Sequence, residues 1–459
     1  MSDTVKTESA KLGTMPLGRL LMTMAVPMML SMLVQALYNI VDSIYVARVS
    51  EDCLTALSLA FPAQNIMIGI ATGTGVGTSA LISRALGDGS HKRASAVAGS
   101  SLFLCVCSWV VVAMLGGFFG KAFIHSQTDS ESIRACADPY ILIVTIGSLF
   151  VYFEICLERL LQATGRPRLS MWTQMIGAVT NIILDPFFIY GWCGLPALGT
   201  AGAAIATVIG QAVGTAVGFF FHFRYNNELT LTRAELRPNG AIIREIYKIG
   251  LPSTFTMCIS SLTNYLMNII LIGFSSTAVA VYGAYFKVQS FFFMPVFGLN
   301  NAIVPIIGYN YGAGKKDRIR GATKLGVLFA LCFMVAGLIV FMLVPGTLLK
   351  IFSASDTMLA IGIPALRTIS LHFPIAAFCI VSLSVCQALG RSMSSLIASV
   401  MRQLVVLVPS AWLLSLTGNV RNVWWCFLIA EGMSALCSVF FLRSAFRMVD
   451  RHFPDEARS

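Results

Sequence analysis

The sequence predicts an all-α polytopic membrane protein: twelve transmembrane helices in two six-helix lobes related by a parallel pseudo-two-fold repeat. Three observations predict it. The composition is too apolar for water, apolar runs of spanning length recur from end to end, and one register recurs across the two halves. Of 459 residues, 56% are hydrophobic and only 12% are charged, about half the ~25% charged share of a soluble domain. The apolar runs cover 17–46, 54–83, 94–119, 138–161, 169–192, 199–223, 245–274, 278–308, 319–348, 361–389, 394–416 and 422–446. Each reaches the roughly 20 residues that a helix needs to cross a hydrocarbon core of about 30 Å. The first run is too long for the h-region of a cleaved signal peptide and is expected to remain in the membrane.

An even number of crossings puts both termini on one side, and Lys and Arg choose which. One set of loops carries Lys11, Arg84, Lys92, Arg93, Arg166, Arg168, Arg224, Lys315, Lys316, Arg318, Arg391, Arg443, Arg447 and Arg451, among others. The opposite set carries Arg48, Lys121, Arg134, Lys350, Arg367 and Arg421. The positive-inside rule therefore predicts cytoplasmic termini in a bacterial inner membrane. The net charge of +11 follows from that topology and from contact with anionic lipid headgroups, so no nucleic-acid partner is implied. The 12 cysteines follow no metal or disulfide spacing, and packing is the expected role of those within helices. Of the 5 histidines only His372 is expected well inside the membrane, packed or lining a pore.

The repeat is legible residue by residue. Subtracting 27 from 252 gives an offset of 225 between Pro27 and Pro252. The same offset pairs Asn39 with Asn264, Gln64 with Gln289, Gly73 with Gly298, Gly87 with Gly312, and Gly89 with Gly314. Farther on it pairs Gln162-Ala163 with Gln387-Ala388 and Gly165-Arg166 with Gly390-Arg391. Six spans per half make the repeats parallel, with the axis along the membrane normal. The expected division is an N-lobe over 1–223, a polar cytoplasmic linker over 224–244, and a C-lobe over 245–459. Such repeats commonly place a substrate cavity between the lobes, near mid-membrane, with access alternating by rocking.

Ionisable groups inside a span cost about 2.5–3.5 kcal/mol each on insertion scales, so each needs a reason. In the first span Gln35, Asn39 and Asp42 share a helix face; in the fifth, Gln174, Asn181 and Asp185 do the same. Both spans run outward and both aspartates come late, which predicts two carboxylates at one depth in the outer half of the N-lobe. Two acids together in low dielectric favour taking up a proton, and the same oxygens with Asn amides suit Na⁺. Pro186 leaves the Ile182 carbonyl without its helical partner. The plainer alternative is a structural polar network joining the two spans. Glu154 and Glu158 in the fourth span are expected nearer the cytoplasm: Glu154 as cation contact or proton relay, Glu158 for the same role or simply paired with Arg159 or Arg166 at the interface. In the C-lobe, Lys287, Arg402 and Glu431 are expected to be buried near mid-depth, with Glu431 paired to one of the two cations. The C-lobe has Met267 and Ser410 where the offset maps Asp42 and Asp185, so the acid site is one-sided. Phe150, Tyr152, Phe153 and the run Phe291-Phe292-Phe293-Met294 can line an adaptable cavity, although most such side chains are expected to face lipid or neighbouring helices.

Gln162-Ala-Thr-Gly-Arg-Pro, followed by Asn181-Ile-Ile-Leu-Asp185-Pro186, resembles the helix 4–5 region of multidrug and toxic compound extrusion (MATE) transporters. So do Pro27, the Gly202-Ala-Ala-Ile-Ala-Thr207 segment, and the Gly-rich loops at Gly87 and Gly312. The resemblance covers the whole chain, and the MepA-like bacterial branch is the most similar. It implies a V-shaped exporter of cationic amphipathic small molecules, driven by inward H⁺ or Na⁺; nothing in the sequence calls for a cofactor or for more than a monomer. It also implies a cation site at Asp42, Asn181, Asp185 and Thr207, and a hinge in the first span at Pro27. The absence of acids in the seventh and tenth spans departs from one branch and leaves coupling to the N-lobe.

Two other functions are set against this one. A flippase for lipid-linked oligosaccharide or precursor would want several cavity-facing arginines, whereas the central charges here are mostly acidic. A membrane-embedded enzyme would want clustered metal ligands or a nucleophile with its base; no DDxxD or HExxH occurs, and no Walker A motif supports ATP-driven transport.

Overall fold

The computed structural model describes residues 8–232, 235, 237–350 and 355–453; among them the chain is helical, with no β-strand. Residues 233, 234 and 236 of the expected linker lie outside the described residues. A short helix α1 (Ala10–Thr14) precedes α2 (Leu17–Ala47), α3 (Glu51–Gly87), α4 (His91–His125), α5 (Glu131–Ala163), α6 (Pro167–Tyr190) and α7 (Thr200–Tyr225). The second half holds α8 (Gly240–Ile272), α9 (Ser276–Gly312), α10 (Lys316–Leu343), α11 (Pro345–Lys350), α12 (Asp356–Ser370) and α13 (Phe373–Ala388). It ends with α14 (Ser392–Val400), a π-helical stretch (Met401–Leu407), α15 (Val408–Ser415), α16 (Val420–Val423) and α17 (Cys426–His452).

Ten of these helices or contiguous pairs are long and apolar enough to cross a membrane, and α12 with α13 adds one span bent by 47°. The remaining crossing is α6. Arg168, Gln174, Asn181 and Asp185 interrupt its apolar run, yet at about 1.5 Å per residue its 24 residues are long enough. It is enclosed by α7, α5 and α2, which is how a helix this polar sits in the bundle.

The repeat extends to helix ends. Ser50 Oγ accepts from the Cys53 N–H at the start of α3, and Ser275 Oγ accepts from the Ala278 N–H at the start of α9; each side chain satisfies an orphan donor. Gly165 and Gly390 turn the chain after α5 and α13 at φ +77° and +79°, a left-handed conformation that other residues adopt at a cost.

Three expected spans are broken, each near a proline. The ninth ends at Leu343 and resumes as α11 from Pro345. The tenth is the bent pair α12–α13: Pro374 has no N–H for the preceding turn, and His372 Nδ1 contacts the Ile369 carbonyl at 2.5 Å. In the eleventh, Pro409 follows the π-helical stretch, whose wider turn accommodates a backbone ladder with a missing donor.

The halves meet backbone to backbone at the end of the bundle where α2 and α8 begin and α3 and α9 finish, here termed the linker face. A Cβ on Gly87 would lie 2.0 Å from the Tyr309 carbonyl oxygen, and one on Gly312 would lie 2.0 Å from that of Arg84. These contacts exchange under the 225-residue offset, so the pseudo-two-fold axis passes between α3 and α9. Gly73 faces Gly250 in the same way, and Thr254 Oγ1 donates to the Gly69 carbonyl at 3.0 Å. Close backbone approach through small residues is how helices gain dispersion contact where lipid removes the hydrophobic drive. The Arg84 guanidinium lies 4.1 Å from the Tyr311 ring centroid. Helix α1 spans the seam: the Leu12 carbonyl accepts from Asn310 Nδ2 (2.9 Å) and Arg318 Nη2 (3.2 Å), while the Ser9 N–H donates to Glu228 Oε1 (2.9 Å).

Gly87→Ala or Gly312→Ala should therefore force the linker-face seam apart. Spin labels at that end of α3 and α9 are expected to report longer distances in either variant than in the parent chain; unchanged distances would refute the role assigned to these glycines.

Candidate functional site

The polar residues of α6 are held by the smoothness of α7. Gly202, Ala206, Gly210, Gly214 and Gly218 recur every fourth residue along α7 and form a flat stripe. A Cβ on Gly202 would lie 2.2 Å from the Phe188 carbonyl oxygen, and one on Gly210 would lie 2.8 Å from that of Gly177 and 3.0 Å from Asn181 Cβ. The two backbones thus touch, and Thr207, one residue past Ala206, comes level with Asn181.

Asn181 Nδ2 donates to Asp185 Oδ1 (3.2 Å) and Thr207 Oγ1 (3.4 Å). Asp185 is fully buried and Asn181 is 3% exposed. Asp42 reaches the group from α2 and lies within electrostatic range of Asp185. Three buried acceptors, Asp42 Oδ1, Asn181 Oδ1 and Asp185 Oδ2, have no hydrogen-bond partner. An unsatisfied buried acceptor costs about 1–3 kcal/mol, more when charged. The group therefore holds more buried acceptor oxygens than donors.

The structure places the other candidates around this group. Gln35 Oε1 accepts from Gln174 Nε2 at 2.9 Å and joins α2 to α6. Asn39, on the same continuous helix, is exposed, and its carbonyl accepts from Ser43 Oγ. Pro27 is buried within α2, and the helix continues through it.

Glu154 and Glu158 are both buried, at 9% and 8% exposed. The Glu154 carboxylate sits in a notch where a Cβ on Gly214 would lie 2.3 Å from its Oε1 and one on Gly177 2.9 Å away. Arg159 is the charged neighbour of Glu158 and in turn donates to Gln162 Oε1 at 3.1 Å.

Two tyrosines and a glutamine complete the site without having been singled out from sequence. Tyr38 is electrostatically linked to Glu154, Asp42 and Glu158. Tyr140 Oη accepts from Gln64 Nε2 at 2.9 Å and is linked to Asp42, Tyr38 and Asp185. Tyr38 was findable, being three residues beyond Gln35 and four before Asp42 on the same face. Tyr140 had no local signal.

The C-lobe charges divide differently from expectation. Glu431, 2% exposed, pairs with Arg402 at 3.2 Å. Arg402 is only partly buried, on the π-helical stretch. Lys287 is exposed rather than buried. It shares the exposed face of α9 with Gly283, while Tyr285 and Val288 are buried. His372 is packed against Phe293, Phe373 and Phe427. His222 is also buried, bonded to Asn226 at the end of α7, which sequence reading missed. Among the described residues, no cluster of His, Cys, Asp or Glu could hold a metal ion.

Known proteins share both sequence and fold with this chain. The MatE family model matches residues 27–187 and 252–413, one copy in each half. Multidrug export protein MepA of Staphylococcus aureus (strain MRSA252) is 25% identical over 433 residues, covering 93% of this chain and 94% of the relative. A solved outward-facing conformation of a multidrug resistance MATE family transporter superposes with a TM-score of 0.91 at 25% identity, over 97% of this chain and 99% of that one. A transporter of the same superfamily from Pyrococcus furiosus, described as having a binding pocket of reverse polarity that suggests a different function, also gives 0.91 at 25% identity, covering 98% and 100%.

Two pairs of variants test the packing. Gly202→Ala meets a rigid carbonyl and should lower stability by about 1–3 kcal/mol. Gly214→Ala meets the mobile end of Glu154 and should fold nearly as the parent does, with the carboxylate displaced. Thermal unfolding in detergent separates the two, and equal losses would contradict the notch. Arg402→Ala leaves Glu431 buried and alone and should cost about 2–4 kcal/mol, less than a fully buried pair because Arg402 is partly exposed. The double variant Arg402→Met/Glu431→Leu should recover most of that loss.

Proposed function

This chain belongs to the MatE family, and on that premise we propose that it is a secondary multidrug exporter that antiports organic or lipophilic cations against H⁺ or Na⁺ by alternating access. The observation that carries the reading is the surplus of unpartnered buried acceptors on Asp42, Asn181 and Asp185. The kinship with MepA, a multidrug export protein, supports the substrate class. In this reading Thr207 and Asn181 position the oxygens, the two aspartates hold the coupling ion, and Glu154 offers the cationic substrate or a proton a second carboxylate.

The proposed cycle runs on differential affinity. With the linker face closed, the ionised aspartates take up H⁺ or Na⁺ from outside, which weakens their hold on a cationic drug. The drug leaves, the lobes rock about the α3–α9 seam with Pro27 as hinge, and the ion departs to the cytoplasm. Net export follows because ion and drug favour different states. The linker face is then cytoplasmic, both termini lie inside a bacterial inner membrane, and the monomer suffices. The neighbour with a reversed pocket polarity is a reason to argue substrate from the charges of the site rather than from the fold.

The experiment is efflux of a fluorescent lipophilic cation from cells, followed by proteoliposomes with an imposed pH or Na⁺ gradient. Asp42→Asn and Asp185→Asn should each insert normally and lose gradient-driven export, and the effective gradient names the ion. Full efflux by either variant rejects the scheme. Failure of every cation in the wild type, with movement of a lipid-linked anion, would favour the flippase.

A further inference from the structure

A cleft of about 670 Å³ opens on the linker face of the C-lobe, lined by Arg391, Ser444, Arg447, Met448, Arg451 and His452, away from the site above. Its volume falls in the range of small-molecule sites. Four of the six lining residues carry a guanidinium or an imidazole. Five of them lie at spacings of three and four along the last turns of α17 and so share one face. Arg391 comes from the opposite wall. Its loop turns at Gly390 (φ +79°), and its Nη1 donates to Ser444 Oγ at 2.7 Å, which orients the guanidinium at the cleft. Asp450, the acid on this stretch of helix, is held by Arg320 through both carboxylate oxygens at 2.7 Å. The charge in the cleft is thus not answered from Asp450.

Two general rules explain part of this charge but not its arrangement. Cations in the last turn of a helix answer the carbonyl end of its dipole, which covers Arg451 and His452. Loops on the retained side of a membrane are enriched in Lys and Arg, yet that enrichment does not build a cleft. The other half of the repeat makes the contrast: the last turns of α7 carry Phe219, Phe220, Phe221 and Phe223, with a buried His222 and Arg224 as their one arginine, so the fold itself does not require an arginine cluster there. Arginine forks suit phosphate oxygens bidentately. The cleft lies at the end of a helix long and apolar enough to cross a membrane, and Met448 supplies an apolar wall.

We propose that this cleft binds the phosphate headgroup of an anionic phospholipid, with Arg391, Arg447 and Arg451 as ligands and a two-phosphate headgroup as the best match to their charge. Basic pockets beside membrane-spanning helices are the usual receptors of such headgroups. The site is independent of the transport reading, since no residue of the Asp42 group takes part.

The test is native mass spectrometry of the delipidated full chain titrated with diphosphatidylglycerol, phosphatidylglycerol and phosphatidylcholine. The diphosphate lipid should bind tightest and phosphatidylcholine weakest. Each arginine removed should weaken the diphosphate lipid about fivefold, so Arg447→Gln/Arg451→Gln should weaken it roughly 25-fold. Arg443→Gln, an exposed arginine of α17 outside the cleft, should change nothing. Equal binding by the double variant, an equal loss in Arg443→Gln, or equal affinity for phosphatidylcholine would overturn the proposal. Inorganic pyrophosphate is the second arm: if it displaces the lipid at equal concentration, the ligand is a soluble phosphate and the lipid assignment falls.

Discussion

An acceptor oxygen buried without a donor is expensive, and the helices around Asp42, Asn181 and Asp185 hold three of them. Much of the N-lobe is arranged around that expense. Helix α6 carries enough polar side chains to be the least apolar of the crossings and is enclosed by α2, α5 and α7. Enclosure at contact distance requires a partner with almost no side chains on one face, which the four-residue glycine and alanine stripe of α7 provides. The same stripe opens the notch that receives Glu154. A second acid thereby comes close to the group without clashing.

The two halves solve the buried acid in opposite ways. In the N-lobe, Glu154 enters from α5 against the glycines of α6 and α7 and is linked to Glu158 and Tyr38. In the C-lobe the 225-residue offset maps Glu154 to Cys379, which lies within electrostatic range of Glu431 of α17. There the carboxylate comes from the last helix and carries its own cation, Arg402. One half leaves buried acceptor oxygens without a donor, and the other pairs its acid with a cation of the protein. The two halves repeat the scaffold but not the acids: Met267, Cys379 and Ser410 stand where the offset maps Asp42, Glu154 and Asp185.

The linker-face seam depends on a related economy of side chains. Gly73, Gly87, Gly250 and Gly312 bring backbones from the two halves into contact, and α1 bridges them through Asn310, Arg318 and Glu228. Such a seam is stiff to substitution but is held by few strong polar bonds. A contact of this kind can open as a unit, because separating it exposes backbone already satisfied within its own helices.

The amino-acid sequence by itself determined the features that composition and spacing dictate. The membrane as solvent, the number of crossings, the parallel repeat and the face shared by Gln174, Asn181 and Asp185 were all legible, because a helix converts sequence distance into direction. The tenth span was expected unbroken, and its break at Leu371–His372 with a 47° bend came from the structure. Only the tertiary structure decided which helices meet. It brought Tyr140 and Gln64 to the aspartates, left Asn39 and Lys287 exposed, chose Arg402 as the partner of Glu431, and set Glu154 against Gly214. These are contacts between residues tens to hundreds of positions apart. Their geometry depends on how closely two backbones approach and how each helix is rotated, quantities that no periodicity along one segment contains.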